Sequence, residues 1–253
     1  MATRIILSGY DGRMGRMLRE TLQNDPEWEI VAGFEQGDVP GATVPVFTAA
    51  NLKDAPEADV VIDFSHFSFT RTLLGYCREA KTPVVISTTA LGEEELTAVR
   101  EAAREIAVFR SANMSLGVNL MAKMAKLAVP ALDKDFDIEI IEKHHNKKAD
   151  APSGTAILLA DAVSEAASEK KAYVHGRSGK DAARAQGDIG IHAVRAGTIP
   201  GQHTLLFAGP DEVIEITHTV YSRRVFALGA LAAARFLPGK APGVYTMDDL
   251  IGV

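Results

Sequence analysis

Three glycines at three-residue intervals, Gly9, Gly12 and Gly15 in the run ILSGYDGRMGRML, limit what this chain can fold into more than any other feature. They follow a short apolar run and open a segment carrying Met14, Met17 and Leu18 at helical spacing, which marks a tight passage from a strand into a helix. Glycine lets such a turn close sterically, and the same lack of side chains lets backbone N–H groups and a helix N-terminus approach a diphosphate. A second residue separates these two uses. Glu35 ends the run EIVAGFE about 20 residues further on, where a carboxylate binds the ribose hydroxyls of a dinucleotide.

The rest of the first half keeps that rhythm. Apolar, β-branched runs at residues 4–7, 29–34, 59–64, 84–87 and 107–110 alternate with amphipathic stretches at 14–22, 70–80 and 93–105, the pattern of a parallel sheet with crossover helices. The fold class expected is therefore α/β, a Rossmann-type dinucleotide-binding domain joined to a smaller α+β domain with an open mixed sheet. Residues 116–132, with Leu116, Leu120, Met124 and Leu127 at helical spacing and Pro130 near the end, read as a helix leading into that second domain. Beyond it, residues 136–142, 189–195, 203–207 and 212–220 are strand-like and 155–167 helical. Residues 168–188, polar and holding Lys170, Lys171, Arg177, Lys180 and Arg184, read as a mobile loop with an ordered patch, and 224–237 as a last helix stopped by Pro238-Gly239. The expected boundaries are 1–114, completed by 225–253, and 115–224.

Charge and cysteine content narrow the function. A formal net charge of −6 disfavours nucleic-acid or anionic-membrane partners, whose binding rests on a basic footprint. The single cysteine, Cys77, rules out an internal disulfide framework and reads as a core or helix residue; no Cys/His group has zinc-ligand spacing, so no metal is expected. The N-terminus lacks the zones of a signal peptide, and apolar windows such as 226–237 fall short of the roughly 20 residues of a membrane span. A cytoplasmic protein is expected.

The segment IEIIEKHHNKKADAPSGTAILLADAV is the richest in chemistry. An alternating strand ends in Glu142, Lys143, His144, His145, Asn146, Lys147 and Lys148, and Ser153-Gly154-Thr155 opens a helix. Backbone N–H groups at that helix start, with the Thr155 hydroxyl and nearby lysines, make an anion site suited to a small acid. The bland alternative is a solvated charged turn with Ser153 as an ordinary N-cap. Hydride addition to a C=N or C=C bond leaves charge that a proton must quench, and a lysine crowded by other cations can supply it near neutral pH. Ser87, Thr88 and Thr89 end another strand, where they could face a ligand or cap the next helix.

GYDGRMG, SANMSLGVN and above all HHNKKADAPSGTA together resemble the 4-hydroxy-tetrahydrodipicolinate reductase family, and the similarity extends through VRAGTIPGQHTLLF and SRRVFALGAL. The resemblance implies an N-terminal nucleotide domain, a C-terminal domain for substrate binding and oligomerisation, a homotetramer, a small dicarboxylate substrate, and NADH or NADPH as cofactor. It gives His144 a proton donor/acceptor role and makes Lys148 the proton donor. His145, Gly154, Thr155 and Arg223 become substrate contacts. Cofactor contacts fall on Gly9, Tyr10, Asp11, Gly12, Arg13, Met14, Glu35, Ser87, Thr88, Thr89, Ser111, Ala112, Asn113 and Met114. The chain has Ser87 and Ala90 where the family usually has glycines, and Gln36 where a basic residue often follows the acidic one. With Glu35 and Asp11 facing a 2′-phosphate and only Arg13 or Arg16 to oppose them, NADH should serve at least as well as NADPH. A reductase for another small imino or amino diacid and a non-catalytic nucleotide-binding regulator are the rivals. The set His144, His145, Lys148 and Gly154-Thr155 favours the enzyme, because a sensor has no use for a proton donor beside a carboxylate site.

Overall fold

The computed structural model describes residues 1–252. In chain order the elements are β1 (Thr3–Ser8), α1 (Arg13–Leu22), β2 (Trp28–Phe34), β3 (Val46–Phe47), β4 (Val60–Asp63), α2 (Thr70–Glu79), β5 (Val84–Ile86), α3 (Glu93–Ala102), β6 (Ala107–Arg110), α4 (Leu116–Leu132), β7 (Asp137–His144), α5 (Gly154–Ala166), β8 (Ala172–Val174), β9 (Asp188–Arg195), β10 (Gly201–Ala208), β11 (Val213–Val220), α6 (Arg224–Phe236), β12 (Gly243–Tyr245) and α7 (Met247–Ile251). They form two compact units, Met1–Leu116 with Arg223–Val253, and Gly117–Ser222.

The first unit is built on a seven-stranded parallel sheet in the order β12-β6-β5-β4-β1-β2-β3. Strand alternation divides its apolar side chains between two layers. Ile5, Leu7, Val60, Ile62 and Phe109 pack with Leu18 and Leu22 of α1 and with the alanines of α6. Ile6, Val61, Ile86 and Val108 pack the other way, against Leu73, Leu74 and Cys77 of α2 and Val99 and Ala102 of α3. Register pairs Ser8 with Phe34 and Asp63, Asp63 with Ile86, and Ile86 with Arg110. The carboxyl ends of five strands are thus level, and the loops that follow them leave from one edge.

The second unit is a five-stranded mixed sheet, β11-β10-β7-β9-β8, antiparallel at β11/β10/β7 and parallel at β7/β9/β8. Its buried face, Ile138, Ile140, Ile189, Ile191, Leu205 and Phe207, packs against Met121, Ala122, Ala125 and Val129 of α4 and Ala156, Leu159, Ala160 and Val163 of α5. Here α4 corrects the sequence reading in detail. The helix lies where its periodicity puts it, but Leu116, Leu120, Met124 and Leu127 form its more exposed face, and small residues turn inward so that the helix can sit close to the sheet.

Residues 168–188 also differ from expectation. They contain the edge strand β8, and Arg177 and Arg184 both bind the Glu139 carboxylate, at 3.0 and 3.1 Å. Gly190 makes that possible, since a Cβ there would stand 1.8 Å from a Glu139 oxygen.

Candidate active site

In the first unit the glycine loop is held by sterics at each position. Gly9 has φ +77°, and a Cβ on it would lie 2.8 Å from the Phe64 carbonyl. One on Gly15 would lie 2.2 Å from the Gly9 carbonyl, so α1 packs onto the loop only through glycine. Gly12 is the N-cap of α1, with no side chain spent on capping. Glu35 Oε1 accepts from the Asp11 backbone N–H at 2.7 Å, which orients the carboxylate beside the loop. Gly9, Gly12, Glu35 and Gln36 line a cavity of about 230 Å³ together with Phe34, Phe64, Ser65, His66 and Phe69. An apolar wall beside an oriented carboxylate fits an adenosine. The sequence reading missed residues 64–69, whose aromatic pattern DFSHFSF looks like core until β4 is seen to stop at Asp63.

The other expected nucleotide contacts divide into outward-facing and inward-facing groups. Gly12, Arg13, Thr89 and Ala112 are exposed, and Asp11, Met14, Ser111 and Asn113 half-buried. Tyr10 is fully buried, with its ring against Gly33 and its hydroxyl 3.1 Å from Thr43 Oγ1, so only its backbone can face a ligand. Met114 is likewise in the core. Asp11 pairs with Arg16 at 2.7 Å and Arg19 at 3.4 Å; the Arg16 hydrogen bond holds its carboxyl below the usual range. Of the alternatives left open for Ser87, Thr88 and Thr89, helix capping falls away: α3 is capped by Gly92, while Thr88 Oγ1 donates to buried Asp63 at 2.6 Å. Burial drives the Asp63 carboxyl upward despite that bond and the one from Ser65.

In the second unit Glu142 is the organising group. Period two puts it on the face of β7 that carries Ile138 and Ile140, and its side chain is fully buried. It receives His144 Nδ1 at 2.6 Å, the Ser153 N–H at 3.0 Å, and Arg195 Nη1 and Nη2 at 2.7 Å each. Burial, the largest influence, pushes its pKa up, but Arg195, His144 and the Ser153 N–H together outweigh it and the net shift is downward. Ser153 caps α5, accepting from Ala156 N–H, and its hydroxyl also meets His203 Nε2 at 2.9 Å. His203 is buried and its ring stands edge-on to His144, centroids 5.1 Å apart; burial, with His144 adding to it, pushes its pKa down to about 4.

Lys148 Nζ sits between both oxygens of Asp150, at 2.7 and 2.8 Å, and Arg195 holds the Asp150 carbonyl at 2.6 Å. The nearest charge to Lys148 is therefore an anion, not the crowd of cations expected from KHHNKK. Lys147 is exposed, and His145 and Thr155 are half-buried. His144, Lys148 and the Ser153-Gly154-Thr155 helix start share this unit, whereas Arg223, exposed at the start of α6, belongs to the first. Glu142, Arg195 and His203 were given no role by the sequence reading. Glu142 carried a signal, a charge continuing an apolar strand face; Arg195 and His203 become visible only through the registers His144↔Arg195 and Glu142↔His203.

Among the described residues no cluster of three or more His, Cys, Asp or Glu is disposed to hold a metal ion, and no helix is long and apolar enough to cross a membrane.

Against this geometry the comparisons with known proteins agree. The family models described as "Dihydrodipicolinate reductase, N-terminus" and "Dihydrodipicolinate reductase, C-terminus" match residues 3–114 and 117–251. A 4-hydroxy-tetrahydrodipicolinate reductase of Caldanaerobacter subterraneus is 50% identical over 252 residues, covering 99% of each chain. One from Clostridium tetani is 46% identical over 251 residues, covering 99% of this chain and 98% of its own. A dipicolinate-bound dihydrodipicolinate reductase from Paenisporosarcina superimposes with a TM-score of 0.81 at 26% identity, over 99% of this chain and 100% of that one. With two family models spanning nearly its whole length and a relative half identical to it, the chain belongs to the dihydrodipicolinate reductase family.

Proposed function

We propose that the chain reduces the dehydrated form of 4-hydroxy-tetrahydrodipicolinate to tetrahydrodipicolinate, on the route to diaminopimelate and lysine, with Lys148 as proton donor and His144 as its donor/acceptor partner. Membership of the family makes it an NAD(P)H-dependent reductase of a small substrate. The observation that carries the residue assignment is that one buried carboxylate, Glu142, binds both His144 and the start of α5, with the Lys148 loop tied to it through Arg195. The bound dihydronicotinamide supplies the hydride. The chain supplies the rest: backbone N–H groups of Gly154 and Thr155, with the Thr155 hydroxyl, bind a substrate carboxylate, His145 and Arg223 add contacts, and the Lys148 ammonium delivers the proton. Asp150 keeps that ammonium in place until it is used. The relative from Paenisporosarcina was solved with dipicolinate, a dicarboxylate of the class such a site would take.

For the cofactor, Glu35 beside the glycine loop supports ribose recognition, and the predicted preference is NADH at least as good as NADPH. Gly9 to Met14, Ser87 to Thr89 and Ser111 to Met114 are the proposed contacts, Tyr10 and Met114 through backbone alone. A homotetramer is supported by the second unit's sheet, whose face opposite the helices presents Ile141, Val194 and Leu206; sedimentation equilibrium should return four times the chain mass. We place the enzyme in the cytoplasm, which cell fractionation tests.

The decisive experiment follows NADH oxidation with substrate freshly formed from pyruvate and aspartate semialdehyde. Lys148→Ala should lower kcat by about 10²–10⁴-fold, the worth of a positioned general acid, with the NADH KM little changed. Lys147→Ala should keep most activity. The reverse pattern would move the donor by one residue, and indifference to both would make KHHNKK a solvated turn.

A further inference from the structure

Four hydrogens point at the two oxygens of Glu142. Ser153 N–H and Arg195 Nη2 reach Oε1, and Arg195 Nη1 and His144 Nδ1 reach Oε2. Three of these partners can only donate. An ionised, fully buried carboxylate can only accept, so the fourth, His144 Nδ1, must carry a proton. A neutral His144 is then the Nδ1–H tautomer, with its lone pair on Nε2, the reverse of the form imidazole favours in water.

The same carboxylate fixes two further things. Oε1 holds the backbone at Ser153, the N-cap of α5, and so ties the imidazole to the helix start that would receive substrate carboxylate. Arg195, bound to both oxygens and to the Asp150 carbonyl, ties it to the loop of Lys148 as well. The ring has little room to answer any displacement. His203 stands edge-on to it, and Gly201 lies so close that a Cβ there would be 3.2 Å from Nε2. The charged and titratable groups facing this pair are Arg195 from β9, Lys148 and Asp150 from the loop, and His203 from β10, with His218 beyond it on β11.

We propose that Glu142 is a positioning residue of the reaction: it sets the tautomer of His144 and the spacing between His144, the carboxylate-binding helix start and Lys148. This rests on the assignment of His144 and Lys148 to the chemistry. Glutamine has the right shape but turns one acceptor into a donor, so it must abandon either the His144 side or the Ser153 side of the cradle.

The first test needs no substitution. Nitrogen-15 spectra of histidine-labelled protein should show His144, identified by its loss in His144→Ala, protonated at Nδ1 with a pyridine-type Nε2; an Nε2–H tautomer would overturn the proposal. Glu142→Gln should then shift that signal toward the Nε2–H form and lower kcat on the order of 10–100-fold with the NADH KM within twofold, the scale of a misplacement of about an ångström. A double-mutant cycle shows through what Glu142 acts. With His144→Ala already present, Glu142→Gln should cost clearly less than it does alone, the remainder being its hold on the helix start and the Lys148 loop, whereas fully independent losses would reduce Glu142 to a fold-holding role. Lys148→Ala in the same assay separates the layers: if it is inactive while Glu142→Gln has wild-type turnover, this inference fails alone; if it is fully active, the underlying assignment fails.

Discussion

A carboxylate fixed by its own loop reads differently from one free in solution. Glu35 takes the Asp11 N–H at 2.7 Å and the Gln36 N–H at 3.3 Å, so its charge is fixed beside the glycine loop, where the proposed ribose contact puts it. Of the two cations that the sequence reading offered, Arg13 and Arg16, the second is bound to Asp11. That pair is exposed, so separating it costs little, and the proposed preference for NADH rests mainly on Glu35. Glu35→Arg should therefore shift the ratio of NADPH to NADH kcat/KM at least tenfold toward NADPH, measured by initial rates with each cofactor; an unchanged ratio would put Glu35 away from the ribose. Ala90 shows the other side of residue-scale reasoning. The resemblance sets it where glycine is usual, and its φ of +59° is a conformation that costs any side chain about 1–2 kcal/mol. The backbone angle accounts for a glycine at this position; nothing in the structure explains the alanine.

Elements whose chemistry repeats over several turns or along a buried strand were legible, because hydrophobic period and length leave a pattern: α4 spans Leu116–Leu132 as expected, and the parallel strands follow their apolar runs. The two- and three-residue strands at sheet edges, β3, β8 and β12, leave none, since they exist only by pairing with a strand already formed. α7 could have been found: Thr246 and Asp249 form a capping box ahead of it. What no pattern gives is how closely elements approach. α6 returns to the first unit and crosses the turn at residues 111–114 so tightly that a Cβ on Gly229 would stand 1.6 Å from the Met114 carbonyl. This partner is backbone, which cannot rotate away. Gly229→Ala should cost at least the ~1–3 kcal/mol of an overpacked core, despite alanine's better helix propensity. A thermal midpoint at or above that of the unaltered protein would show that α6 can shift.

At the scale of the whole molecule, ionisable groups are distributed unevenly between the two units, and this predicts how acid acts on them. In the second unit Glu139 and Glu142, raised by burial but lowered further by their partners, have depressed pKa values, as does Asp133 with Lys171 and Ser168. A depressed carboxyl stabilises the fold above its unfolded pKa, and that stability is lost as pH falls through the folded one. His203 acts earlier and with the same sign. Buried and held at about 4, it stays neutral while the unfolded chain takes up a proton near pH 6.5. The difference is worth ~3 kcal/mol, lost progressively between those two values. In the first unit the fully buried carboxyl, Asp63, is shifted upward, so acid relieves a cost there instead of adding one. The second unit should therefore fail first on acidification. The chain's one tryptophan, Trp28, is buried in the first unit and reports on it selectively. Lowering the pH from 7 to 4.5 in fixed, sub-denaturing urea should reduce far-ultraviolet circular dichroism before Trp28 fluorescence changes. His203→Leu, which has no proton to take up, should flatten the dependence between pH 6.5 and 4.5 while leaving the steeper loss below it to the carboxylates. Coincident transitions would mean that the units unfold as one, and an unaltered slope in His203→Leu would mean that the histidine is not what the acid titrates.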